Sequence, residues 1–349
     1  MENNVEFTDV NRIVVLRTDR IGEVLLCTPV IEALKWRFPE AAITFVTSSY
    51  SADVISGRSD VEEVITFSTI NRDVSIQEAI TLGSVLKKLS FDMAVVLNPH
   101  RALHIAVFLA GIRYRLGFNR KWGFLLNYKL NDTSSEGGMH EVDYNLGLLR
   151  AFGIAAGRLA PSFPVRDRDD TYVDDLLLQH LVIREGKLVV VHPGSSNPAK
   201  KWPAESFRDV VRQLVASNVR VVAIGDKAEG PLCNKILSGS NKSYVANFAG
   251  FLSVKQLGAM MKKADLCISN DNGPMHVAAA VGTKVVAVFG RNTPGTSPKR
   301  WGPYGEGHIV FHKDPGCSPC LDRECNIAYK CLTSITPKEV FEAAMKILQ

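Results

Sequence analysis

What this 349-residue chain lacks narrows it first. No strand end carries the G-x-G-x-x-G turn of a dinucleotide dehydrogenase, and no segment reads as a P-loop, so a dehydrogenase is disfavoured. No repeat of solenoid period is present. No apolar run approaches the ~20 residues that a membrane-spanning helix needs; the longest, Ile105 to Ile112, is far shorter. The first ten residues are acidic and polar, and the apolar run from Ile13 reads as a strand. No targeting segment is therefore expected, and a cytoplasmic location is the default.

Acidic residues are absent from Met93 through Asn131, where Arg101, Arg113, Arg115, Arg120, Lys121 and Lys129 fall. In a chain whose net charge is only +5, that is a local concentration of positive charge. It is either a solvated basic face or a surface for an anionic partner such as a phosphorylated lipid or glycan. Peripheral contact with a membrane through basic and apolar surface stays open. Nucleic acid is disfavoured, because no aromatic-interleaved basic module accompanies the patch. Cysteine is sparse until the C-terminal region. Cys27, Cys233 and Cys267 stand singly in strand or helix contexts and read as small core residues. Cys317, Cys320, Cys325 and Cys331 form a C-x2-C-x4-C-x5-C cluster. That cluster suits a structural zinc, disulfides or free thiols in a loop, none of them catalytic.

What is present is a globular composition, 46% apolar and 22% charged, in a chain long enough for two domains. Short β-branched runs at Arg12–Arg17, Ala42–Thr47, Val61–Phe67 and Asp92–Leu97 alternate with helix patterns at Gly22–Phe38, Ser49–Ser56 and Ser75–Leu89. His140–Phe152 reads as a closing helix, and the Pro- and charge-rich stretch Ala155–Asp170 as a connection. The alternation then restarts, with strands at Leu188–Val191, Val219–Ile224, Asp265–Ser269 and Lys284–Phe289. Helices are expected at Pro203–Ala216, Ser253–Lys263 and Met275–Val281, and a last one runs from Pro337 to Leu348. Strands and helices in this rhythm mean βαβ units, hence an α/β chain of two doubly wound parallel sheets.

Three strand ends carry chemistry. Arg17-Thr18-Asp19-Arg20-Ile21-Gly22-Glu23 places Glu23 in the first turn of a helix, where a carboxylate is favoured by the dipole. Glu23 is either simple helix-start electrostatics or a general base, with Asp19 a second candidate. His192-Pro193-Gly194-Ser195-Ser196, followed by Lys200-Lys201-Trp202-Pro203, supplies backbone and hydroxyl donors and a lysine that can reach a phosphate. It can equally be a capped helix with solvated lysines. In Ser269-Asn270-Asp271-Asn272-Gly273-Pro274-Met275-His276, Asp271 and Asn272 form a helix cap, with His276 one turn further on.

These segments together resemble glycosyltransferase family 9, the ADP-heptose:lipopolysaccharide heptosyltransferases. The resemblance covers nearly the whole chain. It rests on Arg17–Pro29 with the helix to Pro39, His140 and the helix behind it, His192–Pro203, the Ser269–His276 turn and Val285–Gly290. The C-terminal cysteine cluster also occurs in many members. The resemblance implies a GT-B fold, two Rossmann-like domains facing across a cleft. Residues 1–160 would bind the acceptor and residues 170–335 the nucleotide sugar, with helix 336–349 packing back towards the N-terminal domain. It further implies that Lys200 holds the diphosphate, that Ser195 and Ser196 touch phosphate, and that Asp271, Asn272, Gly273 and His276 bind the nucleotide sugar. Asp226 and Leu252 would lie with the donor, Leu252 near the base. On the acceptor side the candidates are Arg101, His104, Arg113 and Arg115. An acceptor hydroxyl, deprotonated by a carboxylate, would displace ADP with inversion. No cofactor or metal would be required beyond the ADP-sugar donor, and the acceptor would be an anionic lipopolysaccharide-type glycan at the cytoplasmic face of the inner membrane.

One residue departs from the pattern. The family's usual aspartate after the glycine is Glu23 here, one methylene longer. A displacement on the ~1 Å scale can cost about a hundredfold in rate, so Glu23 as base, Asp19 sharing the role and reduced activity all stay open. Two rival readings accompany the transferase: a nucleotide-sugar-binding protein without catalysis, and a nucleotide-sugar epimerase on the same architecture.

Overall fold

Runs such as Ile13-Val14-Val15-Leu16 and Leu188-Val189-Val190-Val191 are apolar at every position, which a strand sustains only when both of its faces are covered. Each of these residues is at most 2% exposed. Both runs are central strands in the structure, a computed structural model that describes residues 5–67, 74–291, 293–317 and 320–349. The chain divides into two compact units, Met1–Pro164 and Val165–Gln349. The division falls inside the expected connection.

The first unit contains β1 (Arg12–Leu16), β2 (Ala42–Thr47), β3 (Glu63–Thr66), β4 (Met93–Val96), β5 (Tyr114–Asn119) and β6 (Tyr128–Asn131) in one sheet of order β3-β2-β1-β4-β5-β6. The second contains β7 (Leu188–His192), β8 (Arg220–Ala223), β9 (Val245–Asn247), β10 (Leu266–Asn270), β11 (Lys284–Phe289) and β12 (Ile309–His312), ordered β12-β11-β10-β7-β8-β9. Every pairing is parallel. Counted within its own unit, each sheet runs third, second, first, fourth, fifth, sixth. In each the first and fourth strands lie side by side, and the order of the chain reverses between them. A doubly wound sheet leaves its binding crevice at the carboxyl ends of that pair.

One expectation is corrected. The single helix from Gly22 to Phe38 is two helices, Ile21–Leu25 and Thr28–Arg37. Pro29 has no N–H for the Leu25 carbonyl, and the Thr28 hydroxyl donates to that carbonyl instead (2.9 Å), so the chain restarts at the break. The C-terminal helix Pro337–Leu348 belongs to the second unit. Val340, Ala344 and Leu348 are buried in the second unit's own core with Trp202, Phe207 and Val210. A capping box between Thr336 and Glu339 starts that helix.

Candidate active site

In the second unit the turn after β7 and the turn after β10 are stitched together by asparagines. Asn270 Nδ2 donates to the Pro193 carbonyl (2.8 Å) and its Oδ1 accepts the Trp202 N–H (3.1 Å). Asn272 caps the helix Gly273–Ala280 by accepting the Met275 N–H, and its Nδ2 donates to the Gly194 carbonyl (3.0 Å) and to His192 Nδ1 (2.6 Å). The helix start, with its free N–H groups and positive dipole end, is thereby fixed beside the Gly194–Ser196 turn.

Two cations converge on this place. Asp271, buried at 4% side-chain exposure, lies 2.7 Å from Lys200 Nζ and 3.6 Å from Arg291 Nη2. Arg291 directly follows Gly290 at the end of β11 and also faces Asp322 (3.8 Å). Gly290 packs beneath the Ala199 carbonyl with no room for a side chain, which brings the β11 end against the Lys200 turn. Asp271 therefore acts as the clamp that holds Lys200 and Arg291 together. A carboxylate so engaged repels a phosphate and is poorly suited to direct contact with one.

The other expected donor residues are distributed around this centre. Ser195 bonds within its own turn to Asn197, and Ser196 is exposed. Gly273 opens the helix, and His276 is buried within it. Asp226 follows β8 and forms a capping box with Glu229, so its carboxylate is engaged locally. Leu252 is half-buried, ahead of the Ser253-capped helix Val254–Lys263. Glu229, which sequence reasoning missed, lies 3.4 Å from His192 Nε2 and covers Gly194 so closely that a Cβ there would coincide with its carboxylate. The hydrogen bond from His192 holds Glu229 below the usual carboxylate range.

The first unit's crevice, at the ends of β1 and β4, has the opposite electrostatic character. Arg17 is buried, with Nη1 donating to the Leu97 carbonyl (3.1 Å) and to Glu141 Oε1 (3.0 Å), and with Nε 2.8 Å from Asp19 Oδ2. Burial opposes its charge, but Asp19 foremost, with Glu141 and others, outweighs that and keeps Arg17 firmly cationic. Asp19 also accepts from Asn98 Nδ2 (3.0 Å), while its own carbonyl takes hydroxyl bonds from Ser48 and Ser51. Asp19 is thus locked. Glu23 lies in the first turn of Ile21–Leu25, with a backbone hydrogen bond to its carboxyl. Burial pushes its carboxyl above the usual range, with Arg17 partly opposing and Asp19 adding to the rise. Asp19 is held by Arg17 and Asn98, whereas Glu23 keeps a carboxyl with raised proton affinity.

The expected acceptor set does not come together. Arg113 and Arg115 lie where β5 begins, the end of the sheet opposite to the crevice. Arg113 reaches Thr8 and lies over the Tyr114 ring; Arg115 donates to the Leu125 and Ile112 carbonyls. His104 is fully buried, with Nδ1 2.9 Å from the Lys121 carbonyl, and burial lowers its pKa, so it is a neutral structural residue. Arg101 alone, exposed at the start of the helix that follows β4, stands at the crevice end.

Cys317, Cys320, Cys325 and Cys331 line one cavity of about 270 Å³, together with Arg291, Ala199 and Asp322. They are unpaired thiols. No three His, Cys, Asp or Glu side chains among the described residues are placed to share one metal ion, so of the three alternatives zinc has no formed site there. Arg291, Glu229, Asn98 and Glu141 were all missed from sequence. The available signal was position: each follows a strand end or opens a helix.

The profile of glycosyltransferase family 9 (heptosyltransferase) matches residues 80–330. Lipopolysaccharide heptosyltransferase 2 of Escherichia coli K12 is 26% identical over 97% of this chain and 98% of its own length. Among solved structures, a family 9 glycosyl transferase from Veillonella parvula superposes with a TM-score of 0.84 at 23% identity, covering 99% of both chains. ADP-heptose LPS heptosyltransferase II of E. coli gives 0.79 at 23% identity, over 97% of this chain and 98% of that one.

Proposed function

We infer what this chain does from one premise: the chain belongs to glycosyltransferase family 9, the heptosyltransferases. It is a glycosyltransferase, and we propose that it moves a heptose from ADP-heptose to the core of lipopolysaccharide with inversion at the anomeric carbon. The observation that carries this reading is the pair Lys200 and Arg291 held by Asp271 beside a capped helix start. Those groups set positive charge where a diphosphate leaving group gathers negative charge, and stabilisation of this kind is commonly the largest single contribution to catalysis.

In this reading the first unit supplies the base. The acceptor hydroxyl gives its proton to Glu23 as its oxygen bonds to the anomeric carbon, the bond to ADP breaks, and the pyrophosphate oxygen takes the electron pair. Lys200 and Arg291 offset the charge that appears on ADP, so no metal ion is called for in this scheme. Leu252 and Asp226 border the nucleoside, and Arg101 offers a cation to the anionic acceptor. In this reading the enzyme works at the cytoplasmic face of the inner membrane.

Calorimetric titration with ADP, followed by a transfer assay with ADP-heptose and deacylated core acceptor, tests the proposal. ADP binding and heptose transfer that both disappear with Lys200→Ala support it. Transfer by the unaltered chain from a different nucleotide sugar, with none from ADP-heptose, would reassign the donor. Tight ADP binding with no turnover of any acceptor would favour the rival donor-binding protein without catalysis.

A further inference from the structure

The connection between β5 and β6 is built to hold two aromatic rings in solvent. Trp122 is 49% exposed and Phe124 66% exposed, their rings 5.8 Å apart. Trp122 and Lys121 before it both have positive φ, +72° and +46°. Bulky side chains rarely adopt that region, and a segment that keeps two in succession is held there by its surroundings. The restraints are identifiable. The Lys121 carbonyl is bound by buried His104, the Leu125 carbonyl by Arg115 Nε, and Gly123 lies so close to Asn119 that it has no room for a side chain. His104 and Arg115 thus have a structural purpose: they brace this turn.

The rings do not stand alone. The Arg115 guanidinium that binds Leu125 also lies over Phe108, and Phe108 and Leu109 are each about half exposed. Leu109 in turn packs against Gly83 of the helix Ile76–Leu89, whose Ile80 is 46% exposed. Exposed cations, Lys87 and Lys121, accompany this apolar strip; the stretch from Met93 to Asn131 has no acid, and Glu78 on the helix of Ile80 is engaged in a capping box with Ser75. Among the described residues no helix is long and apolar enough to cross a bilayer.

We propose that this face seats on an anionic bilayer surface, with Trp122 and Phe124 at the boundary of headgroups and acyl chains and the cations at lipid phosphates. Aromatic and aliphatic side chains ringed by Lys and Arg are the composition of interfacial binding. The acid-free stretch from Met93 to Asn131 favours anionic lipid over a protein partner of mixed charge. The choice of a membrane as occupant rests on the reading that the acceptor is a lipid-linked glycan; the built platform itself does not depend on it.

The test is flotation of the whole chain with vesicles of phosphatidylcholine, alone or with phosphatidylglycerol at roughly one-third of the lipid. The unaltered protein should float with the mixed vesicles and release at high salt, and Trp122→Ser/Phe124→Ser should reduce its partitioning about tenfold or more. Brominated lipid should quench the unaltered protein more than Trp122→Phe, a variant that keeps an apolar ring and the fold. No flotation of the unaltered protein, equal flotation of the double variant, or equal binding to neutral vesicles overturns the proposal. A dimer that the double variant dissociates, with vesicle binding unchanged, also overturns it, in favour of a second copy as occupant. Transfer to deacylated acceptor is measured in parallel and should survive the double substitution. Its absence in the unaltered protein counts against the transferase reading alone.

Discussion

Lys200→Ala should weaken ADP binding by more than one lost cation explains, because Lys200 also shields its neighbour. The lysine offers a phosphate one charge-assisted hydrogen bond, worth about 1.5–3 kcal/mol. Behind it, 2.7 Å away, lies Asp271 with 4% of its side chain exposed. A phosphate on the far side of Lys200 is roughly 6 Å from that carboxylate, and Coulomb's law with an effective dielectric of about 20 gives a repulsion of ~2–3 kcal/mol once the lysine is gone. Arg291, 3.6 Å from the same oxygen, offsets part of it. The net loss is therefore about 3–4 kcal/mol, a several-hundredfold weaker Kd. Adding Asp271→Asn removes the repulsion and should recover roughly tenfold of that loss. The assay is calorimetric titration of ADP into the unaltered protein, the single variant and the double variant, each checked by thermal melting. If the double variant binds no tighter than Lys200→Ala, the clamp described for Asp271 is wrong. If Lys200→Ala binds as the unaltered protein does, the diphosphate is elsewhere.

Glu23→Gln should lower transfer by about 10²–10⁴-fold while ADP affinity stays unchanged, as calorimetry and turnover on one preparation would show. Because burial raises the Glu23 pKa, its folded carboxylate binds a proton more tightly than the unfolded one. Activity should therefore rise with pH through that elevated value, whereas the stability contributed by Glu23 is complete below the unfolded pKa and is lost as pH climbs through the folded one. At neutral pH Glu23→Gln should accordingly melt higher than the unaltered protein; an unchanged or lower Tm would contradict the assignment. Gly194→Ala places a methyl where the Glu229 carboxylate sits and should destabilise by about 1–3 kcal/mol in urea, with Glu229→Ala in the same chain relieving most of the loss. Glu141→Gln leaves buried Arg17 with Asp19 alone and should cost about 3–5 kcal/mol, far more than an exposed carboxylate such as Glu40. Buried Cys27 and Cys267, whose thiols burial pushes up to about 12, should resist aromatic disulfide reagents in the native state while Cys317, Cys320 and Cys325 react.

The central strands were legible because burial on both faces demands uninterrupted apolar residues; β1, β2, β7, β10 and β11 could be read this way. The sheet edges β6, β9 and β12 were not, since Tyr128-Lys129-Leu130-Asn131 and Val245-Ala246-Asn247 are short and partly polar, and pairing with one neighbour alone positions them. The helix Arg101–Leu109 was hidden by its own hydrophobicity, which gave an apolar run with no clear period. At the site, Lys200, Asp271 and Asn272 were legible as strand-end turns. Arg291 was not, because it joins them only through pairing of β10 with β11 and the close approach of Gly290 to Ala199. The basic residues Arg113 and Arg115 show the converse error: charge composition located them, but only the direction of β5 reveals which end of the sheet they occupy.

The two sheets share one strand order, yet the charges gathered at their crevices differ. The second offers Lys200, Arg291 and a helix start to an anion. At the equivalent place in the first, Asp19 and Glu141 already neutralise and exceed Arg17, with Glu23 beside them. A nucleotide diphosphate entering there would meet those carboxylates, with exposed Arg20 and Arg101 in place of a cation pair clamped beside a helix start. Saturation with ADP should therefore stop at one molecule per chain, and a compound designed to block the first crevice should carry an amine where a donor mimic carries phosphate.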